Sequence, residues 1–315
     1  MSARSVLILG AGVIGHRHMQ AASAFGELIS AVVDGDRARA EAAAERYGAE
    51  AFVSLTDALE VVSPDIVVIA TPSTQHQAQA IQALAAGAHV LVEKPHRVPA
   101  DDPAELAAAV AASTGRYVVG MTTRHWPGVR AVAAAVAGGE LGPLLSYTDR
   151  MHYPLAPDDL APWYFDPAVG GGGVLLTNGV HAIDRARAIL GADLARVSSR
   201  LVTVFPDHGV EDSAELRLST PEGVPVDLSM LWSPVQPRNT GLTVTGAEGF
   251  AHVDMDGSWI VRGREGERTG GAHAEQEPFD LQWASFASGD AGFGFDDLEP
   301  TLALIEECYR EWRHE

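Results

Sequence analysis

SVLILGAGVIG, residues 5–15, runs from an unbroken apolar stretch into three glycines at positions 10, 12 and 15. Ser5 to Leu9 reads as a short buried strand, and the residues from the glycines through about Ala24 as a helix. Gly10 suits the tight turn between them, Gly12 lets the backbone approach a pyrophosphate, and Gly15 lets the helix pack close to the sheet. The N–H groups of Val13, Ile14 and their neighbours at the helix start, together with the helix dipole, favour an anion. Taken alone, such a glycine pattern is a weak signal. A second strand, Leu28 to Asp34, strengthens it: Asp34 lies 19 residues beyond Gly15 (34 − 15), where an acid can bind both ribose hydroxyls of NAD. An acid there repels a 2′-phosphate and favours NAD over NADP, while Arg37 and Arg39 leave NADP open.

The same alternation of strand and helix continues through residue 122. Arg37 to Tyr47 predicts a helix closed by Gly48. Asp65 to Ala70 and His89 to Val92 read as strands, separated by a helix over Gln75 to Ala86. Asp102-Pro103-Ala104-Glu105 has the form of a helix start, and Tyr117 to Met121 reads as a further strand. Strands without polar alternation are buried on both faces, as in a parallel sheet. The order predicts an N-terminal Rossmann domain, a doubly wound parallel sheet, over residues 1–122.

Residues 123–315 have a different grammar and are expected to form a C-terminal α+β domain. Leu144 to Tyr153, Arg196 to Phe205, Ala214 to Ser219, Val224 to Trp232 and Leu242 to Thr245 alternate or are β-rich. TPEG at 220–223 and GAEG at 246–249 read as hairpin turns, so the sheet is expected to be mainly antiparallel. A helix is expected over Leu176 to Leu190, a polar loop over Gly266 to Glu277, and a closing helix over Leu298 to Trp312 on either domain.

Composition limits the functional classes. With 42 acidic against 22 basic residues and a formal charge of −20, the chain would repel nucleic acid and anionic membranes. Cys308 is the only cysteine, which excludes a disulfide framework or thiolate metal cluster and fits a reducing, cytoplasmic setting. No signal peptide, transmembrane run, metal-ligand spacing or Ser-His-Asp pattern is evident.

VLVEKP at 90–95 carries the second chemical signal. Its strand ends at what should be the carboxyl edge of the parallel sheet, outside which ligands bind, so Lys94 is expected to point toward a ligand. An ammonium there can hydrogen-bond a substrate hydroxyl and stabilise a developing alkoxide. A surface lysine paired to Glu93 is the plainer alternative.

Together with the glycine turn, these residues resemble the oxidoreductase family that includes glucose-fructose oxidoreductase, inositol dehydrogenase and the rhizopine-catabolism protein MocA. The resemblance rests on GAGVIGHRH at 10–18, VVDGDRARAEAAAERYG at 32–48, ATPSTQHQAQAIQALAAGAHVLVEKP at 70–95, ELGPL at 140–144 and GGGVLLTNGVHAID at 171–184. VEDSAEL at 210–216 and TGLTVTGAEGFAHVD at 240–254 are weaker echoes. The resemblance implies NAD or NADP as cofactor and a secondary alcohol of a sugar, polyol or related small molecule as substrate. It also implies that residues 123–315 form an open-faced domain for substrate binding and oligomerisation, whose sheet builds a homodimer or homotetramer. It places Thr71, Pro72, His76, Glu93 and Lys94 near the cofactor, as it does His18, and in relatives the bond between Lys94 and Pro95 can be cis.

In the family pattern Lys94 and His181 are the catalytic pair, with the substrate alcohol between them, and many dehydrogenases have an aspartate four residues before that histidine. Here Thr177 stands in its place. On a regular helix Thr177, His181 and Asp184 share one face. His181 is expected to accept the hydroxyl proton, and Asp184 to supply charge or hold a substrate hydroxyl. Asn178, Arg124 and the aromatic residues Trp163 and Tyr164 are further candidates for lining the substrate site, with Phe165, His125, Trp126, His152 and Tyr153 as softer ones. Two other functions stay open: a dinucleotide-binding regulator without catalysis, and a glycosidase-like enzyme that retains NAD.

Overall fold

The computed structural model describes residues 3–155, 159–204, 209–289 and 293–312. The chain divides into two compact units: Met1–Met121 with Gln276–Leu298, and Thr122–Glu275 with Glu299–Glu315.

In the first unit, β1 (Ser5–Leu9), β2 (Leu28–Val33), β3 (Glu50–Phe52), β4 (Ile66–Ile69), β5 (His89–Glu93) and β6 (Tyr117–Gly120) form one parallel sheet in the order β3-β2-β1-β4-β5-β6. The order reverses between β1 and β4, which creates the crevice where open α/β sheets bind ligands. Helices α1 (Val13–Ala24), α2 (Arg37–Glu45), α3 (Leu55–Val62), α4 (His76–Ala85) and α5 (Pro103–Ala112) connect the strands. Asp102 caps α5 by accepting the Ala104 N–H, and Pro103 opens the helix, as its sequence predicts. The short β3 and α3 had no expectation attached: three residues are too few to show a period.

The returning segment Gln276–Leu298 completes this first unit, whereas its sequence suggested a place in the second, with only the closing helix from Leu298 open to either. Helix α9 (Glu277–Ser288) inserts Trp283 and Phe286 into the core formed by Val6, Ile8, Met19, Val68 and Leu91. The Val119 N–H at the sheet edge donates to the Phe293 carbonyl at 2.7 Å.

The second unit is built on an eight-stranded sheet. Its strands are β7 (Leu144–Tyr153), β8 (Ala195–Val202), β9 (Ser213–Ser219), β10 (Pro225–Trp232), β11 (Asn239–Gly246), β12 (Gly249–Val253), β13 (Trp259–Gly263) and β14 (Gly266–Gly270). They lie in the order β14-β13-β12-β11-β7-β10-β9-β8, antiparallel except for the β7/β10 pair. Alternation buries one row, including Tyr147, Met151, Leu216, Leu228, Met230 and Val244, and leaves Arg217, Asp227, Ser229 and Thr243 on the other. Helices α6 (Pro127–Ala137), α7 (Pro167–Gly170) and α8 (Val180–Leu190) belong to this unit, and α10 (Phe295–Trp312) runs from the returning segment into it.

Three expectations change here. Gly266 to Glu277 is not simply a polar loop: Gly266–Gly270 is β14, an edge strand whose residues are mostly exposed, so it pairs through its backbone without an apolar face. The expected helix over Leu176 to Leu190 starts as a π-turn, Leu175–Gly179, before continuing as α8. The strand expected through Phe205 stops at Val202, and residues 205–208 lie outside the described residues.

Candidate active site

The glycine turn is built as its sequence requires. Gly10 has φ of +97°, and a Cβ there would run into the backbone of Ala70. A Cβ on Gly15 would collide with the Gly10 carbonyl oxygen. Gly12 is different: a Cβ there meets nothing within 4 Å. It is the N-cap of α1, and no side chain caps that helix end. Val13, at the tip, is 75% exposed. An open approach, an uncapped helix N-terminus and a side-chain-free backbone together fit a dinucleotide pyrophosphate.

Asp34 is tied to this turn. Its carboxylate accepts the Ala11 N–H at 2.9 Å and the Asp36 N–H at 2.9 Å. Arg39 Nε donates to the same carboxylate at 3.2 Å. Arg39, which sequence left available for a phosphate, is thus paired to the acid, and Arg37 lies 3.6 Å from Glu41 on the exposed face of α2.

At the carboxyl ends of β4 and β5 a second cluster forms. The Lys94–Pro95 bond is cis. Glu93 is buried and bonds His18 Nε2 at 2.9 Å, while its other oxygen accepts the Lys94 backbone N–H at 3.2 Å. Gly120 makes room for it, since a Cβ there would sit 2.9 Å from Glu93 Oε1. Burial pushes the Glu93 carboxyl up, but the His18 bond and the charges of His18 and Lys94 outweigh it and hold the group below its ordinary value. Burial pulls the half-buried Lys94 ammonium below its ordinary value, opposed by Glu93.

His76 joins the two strand ends. Its Nδ1 lies 2.7 Å from the Pro95 carbonyl and its Nε2 2.8 Å from the Thr71 carbonyl. Burial lowers its pKa despite both bonds. A neutral ring serves only one of the two carbonyls as donor, so His76 is a clamp on Thr71 and Pro95 rather than a free acid. Thr71 Oγ1 donates to Gln79 at 2.6 Å, and Pro72 precedes the 3₁₀ turn Ser73–Gln75 that leads into α4.

In the second unit, Thr177 and Asn178 lie in the π-turn and His181 in the first turn of α8. The spacing of Thr177 to His181 is therefore set by a wider ring than the uniform α spacing that the sequence reading assumed. Asn178 Oδ1 accepts the Trp232 indole N–H at 2.8 Å, which leaves the Asn178 amide N–H₂ as its remaining donor. Asp184 is fully buried and both its oxygens are engaged by Arg124, one of them by Nε at 2.6 Å. The expectation that Asp184 supplies charge to His181 or holds a substrate hydroxyl is corrected accordingly: its carboxylate orients Arg124. The structure thus joins two residues that the sequence offered separately.

Trp163 and Tyr164 stack at 3.8 Å in the half-buried turn Pro162–Phe165, and the Phe165 ring meets Trp232 edge-on at 5.7 Å. His125 and Trp126 are largely buried. His152 lies on the row of β7 opposite to Asp149 and bonds Ser229 Oγ at 2.6 Å, in a groove of about 470 Å³ lined by Arg150, Glu215 and His252 among others. Asp149, on the inner row, pairs with Arg185 of α8 at 2.7 Å, a fully buried ion pair that no local spacing marks. Also missed was the Asn178–Trp232 bond; neither indole nor amide marks its partner in sequence. Among the described residues there is no group of three or more His, Cys, Asp or Glu able to hold a metal, and no helix long and apolar enough to cross a membrane.

A doubly wound dinucleotide unit carrying this glycine turn, followed by a mainly antiparallel sheet unit, defines a class of nicotinamide-dependent oxidoreductases. The chain belongs to the Gfo/Idh/MocA family within it. The family profile described as "Oxidoreductase family, NAD-binding Rossmann fold" matches residues 4–121, and "GFO/IDH/MocA C-terminal domain" matches residues 129–252. The chain is 32% identical over 223 residues to inositol 2-dehydrogenase of Rhizobium meliloti, a match covering 69% of this chain and 65% of that enzyme, just under two thirds of its length. It is 27% identical over 288 residues to D-apiose dehydrogenase of Paraburkholderia graminis, covering 88% of this chain and 74% of that one. A solved levoglucosan dehydrogenase, in complex with NADH and levoglucosan, has a TM-score of 0.87 at 21% identity, over 98% of this chain and 96% of its own.

Proposed function

We propose that the protein is an NAD-dependent dehydrogenase that interconverts a secondary alcohol of a sugar or polyol with its carbonyl. The observation that carries this reading is the Glu93–Lys94 cluster at the carboxyl end of β5, where burial and a neighbouring carboxylate hold an ammonium at the ligand-binding edge of the sheet. NAD, when bound, accepts the carbinol hydride at its nicotinamide ring.

The chain's own residues do the rest. Gly10, Gly12, Gly15 and the first N–H groups of α1 hold the pyrophosphate, and Asp34 binds the ribose hydroxyls. His181 is the general base that accepts the proton of a substrate hydroxyl. Lys94 donates a hydrogen bond to a substrate oxygen and lowers the cost of charge developing there. Arg124, held by Asp184, presents fixed donors to a substrate oxygen, and Asn178 and Thr177 supply neutral ones. Trp163 and Tyr164 offer a flat surface to the C–H face of a sugar. The substrate class follows the relatives' names, inositol 2-dehydrogenase and D-apiose dehydrogenase. We also infer a cytoplasmic homodimer or homotetramer, to be tested by sedimentation.

The deciding experiment supplies NAD with a panel of inositols, sugars and polyols and follows NADH formation, with NADH binding measured by fluorescence in the same preparation. Lys94→Met should bind NADH as wild type does and turn nothing over; surviving turnover rules out the role given to Lys94. One observation favours a second reading. Thr177 puts no charge beside His181, so binding without turnover would point to a regulator, and release of free sugar without net NADH to a glycosidase-like cycle.

A further inference from the structure

The glycine run 170–173 is not explained by cofactor or substrate chemistry. Its third and fourth members are explained by two residues far along the chain. A Cβ on Gly172 would strike the Tyr309 hydroxyl, and a Cβ on Gly173 would strike the Glu211 carbonyl oxygen. The run is thus a place where other groups come close to a bare backbone.

What approaches it is a fully buried carboxylate, Glu211, with no exposed surface. One of its oxygens accepts the Leu175 N–H at 2.9 Å, and both lie within 3.2 Å of the Gly173 N–H. Its backbone carbonyl accepts the Val174 N–H at 2.9 Å. Tyr309 of α10 donates its hydroxyl to the same carboxylate at 2.7 Å. A single residue therefore satisfies three consecutive N–H groups at the start of the helical stretch that leads into α8, groups that a helix cannot satisfy by itself. The ordinary cap is a side chain just before the helix; here the cap comes from the loop preceding β9. Burial pushes the Glu211 carboxyl up, and the Tyr309 and backbone bonds work against that.

This cap lies immediately before the π-turn Leu175–Gly179. A π-turn is a sparsely used helical form that recurs at functional sites, and its wider ring makes the helix's rotation depend on how its first turn is held. Thr177 lies inside that ring and His181 just beyond it. We propose that Glu211 and Tyr309 are positioning residues: by pinning the first turn of this helix they fix the rotation and depth at which His181 is presented. The inference rests on the reading of His181 as the proton acceptor, but its test does not need turnover.

The test follows the His181 Cε1–H resonance by NMR through a pH titration of the whole protein, the signal being assigned by its loss in His181→Asn. Tyr309→Phe removes one hydrogen bond with little change of volume, and Glu211→Gln keeps shape while removing acceptor capacity. Both should shift the His181 resonance and its titration midpoint, and amide exchange at Gly173 and Leu175 should quicken by about tenfold. Leu302→Ala, on the same helix as Tyr309 and buried, is the control: it lowers Tm and leaves the His181 titration unchanged. Should Glu211→Gln fail to fold, Tyr309→Phe decides. An unaltered His181 signal in folded Tyr309→Phe, or an equal shift in Leu302→Ala, overturns the proposal. A shifted signal in a protein that oxidises no member of the panel would keep the latch and count against the dehydrogenase reading.

Discussion

Replacing Gly12 by alanine separates cofactor binding from folding. Gly12 has φ of −79°, open to any residue, and its Cβ position is free of neighbours within 4 Å. The cost to the free protein is then only the poorer N-cap preference of alanine, about 0.5–1 kcal/mol, or roughly 1–4 °C in Tm for a chain of this size. Bound NAD is affected differently, because the methyl enters the opening through which the pyrophosphate reaches the N–H groups of α1. Losing one charge-assisted hydrogen bond there, about 1.5–3 kcal/mol, weakens NADH binding by about 10- to 150-fold. NADH fluorescence titration and a thermal melt on the same sample measure the two effects together. Gly15→Ala serves as the contrast, since its Cβ has no space even in the free protein and should abolish folding. If folded Gly12→Ala binds NADH within twofold of wild type, the pyrophosphate does not lie where we place it.

Two further predictions concern the charged groups. Glu93 opposes the downward pull of burial on Lys94, so Glu93→Gln should lower the Lys94 pKa further. Because the ammonium is the form that loses its proton as pH rises, competitive labelling of Lys94 followed by mass spectrometry should then show the reactive amine emerging at lower pH than in wild type; an unchanged or higher midpoint would show that Glu93 does not act on Lys94. Asp184→Ala should cost about 3–5 kcal/mol in urea unfolding, because it removes the fully buried carboxylate of the Arg124–Asp184 ion pair. Arg124→Ala combined with Asp184→Ala should recover much of that loss, and strictly additive effects would mean the pair is not coupled.

How far the sequence could be read depended on whether the cause of a feature lay close to it in the chain. Gly10, Gly12, Gly15 and Asp34 announce their chemistry because strand, turn, helix and acid follow one another within 30 residues or so, and each spacing has a geometric meaning. Lys94 was legible through the strand that precedes it. Gly172 and Gly173 were visible only as a glycine run, since Glu211, the reason for Gly173, lies 38 residues on. The π-turn was invisible for a related reason: LLTNG carries no local mark of a wider ring, and the support comes from elsewhere in the unit. Asp184 shows the limit most plainly. Helical spacing put it on a face with His181, yet Arg124, 60 residues earlier, holds both of its oxygens. β14 escaped notice because an edge strand needs backbone partners and not an apolar pattern.

The return of Gln276–Leu298 to the first unit has a bearing on how the protein is made. A ribosome delivers Trp283 and Phe286 only after the whole sheet of the second unit has been synthesised, yet both belong to the first unit's core. Sequential domain-by-domain folding during translation, the usual order, is therefore unable to finish the cofactor-binding half on its own schedule. Until then the first unit lacks the apolar surface of two aromatic rings, roughly 150–250 Å² each. A chain that ends before α9 lacks both rings, and the first unit's core is left incomplete.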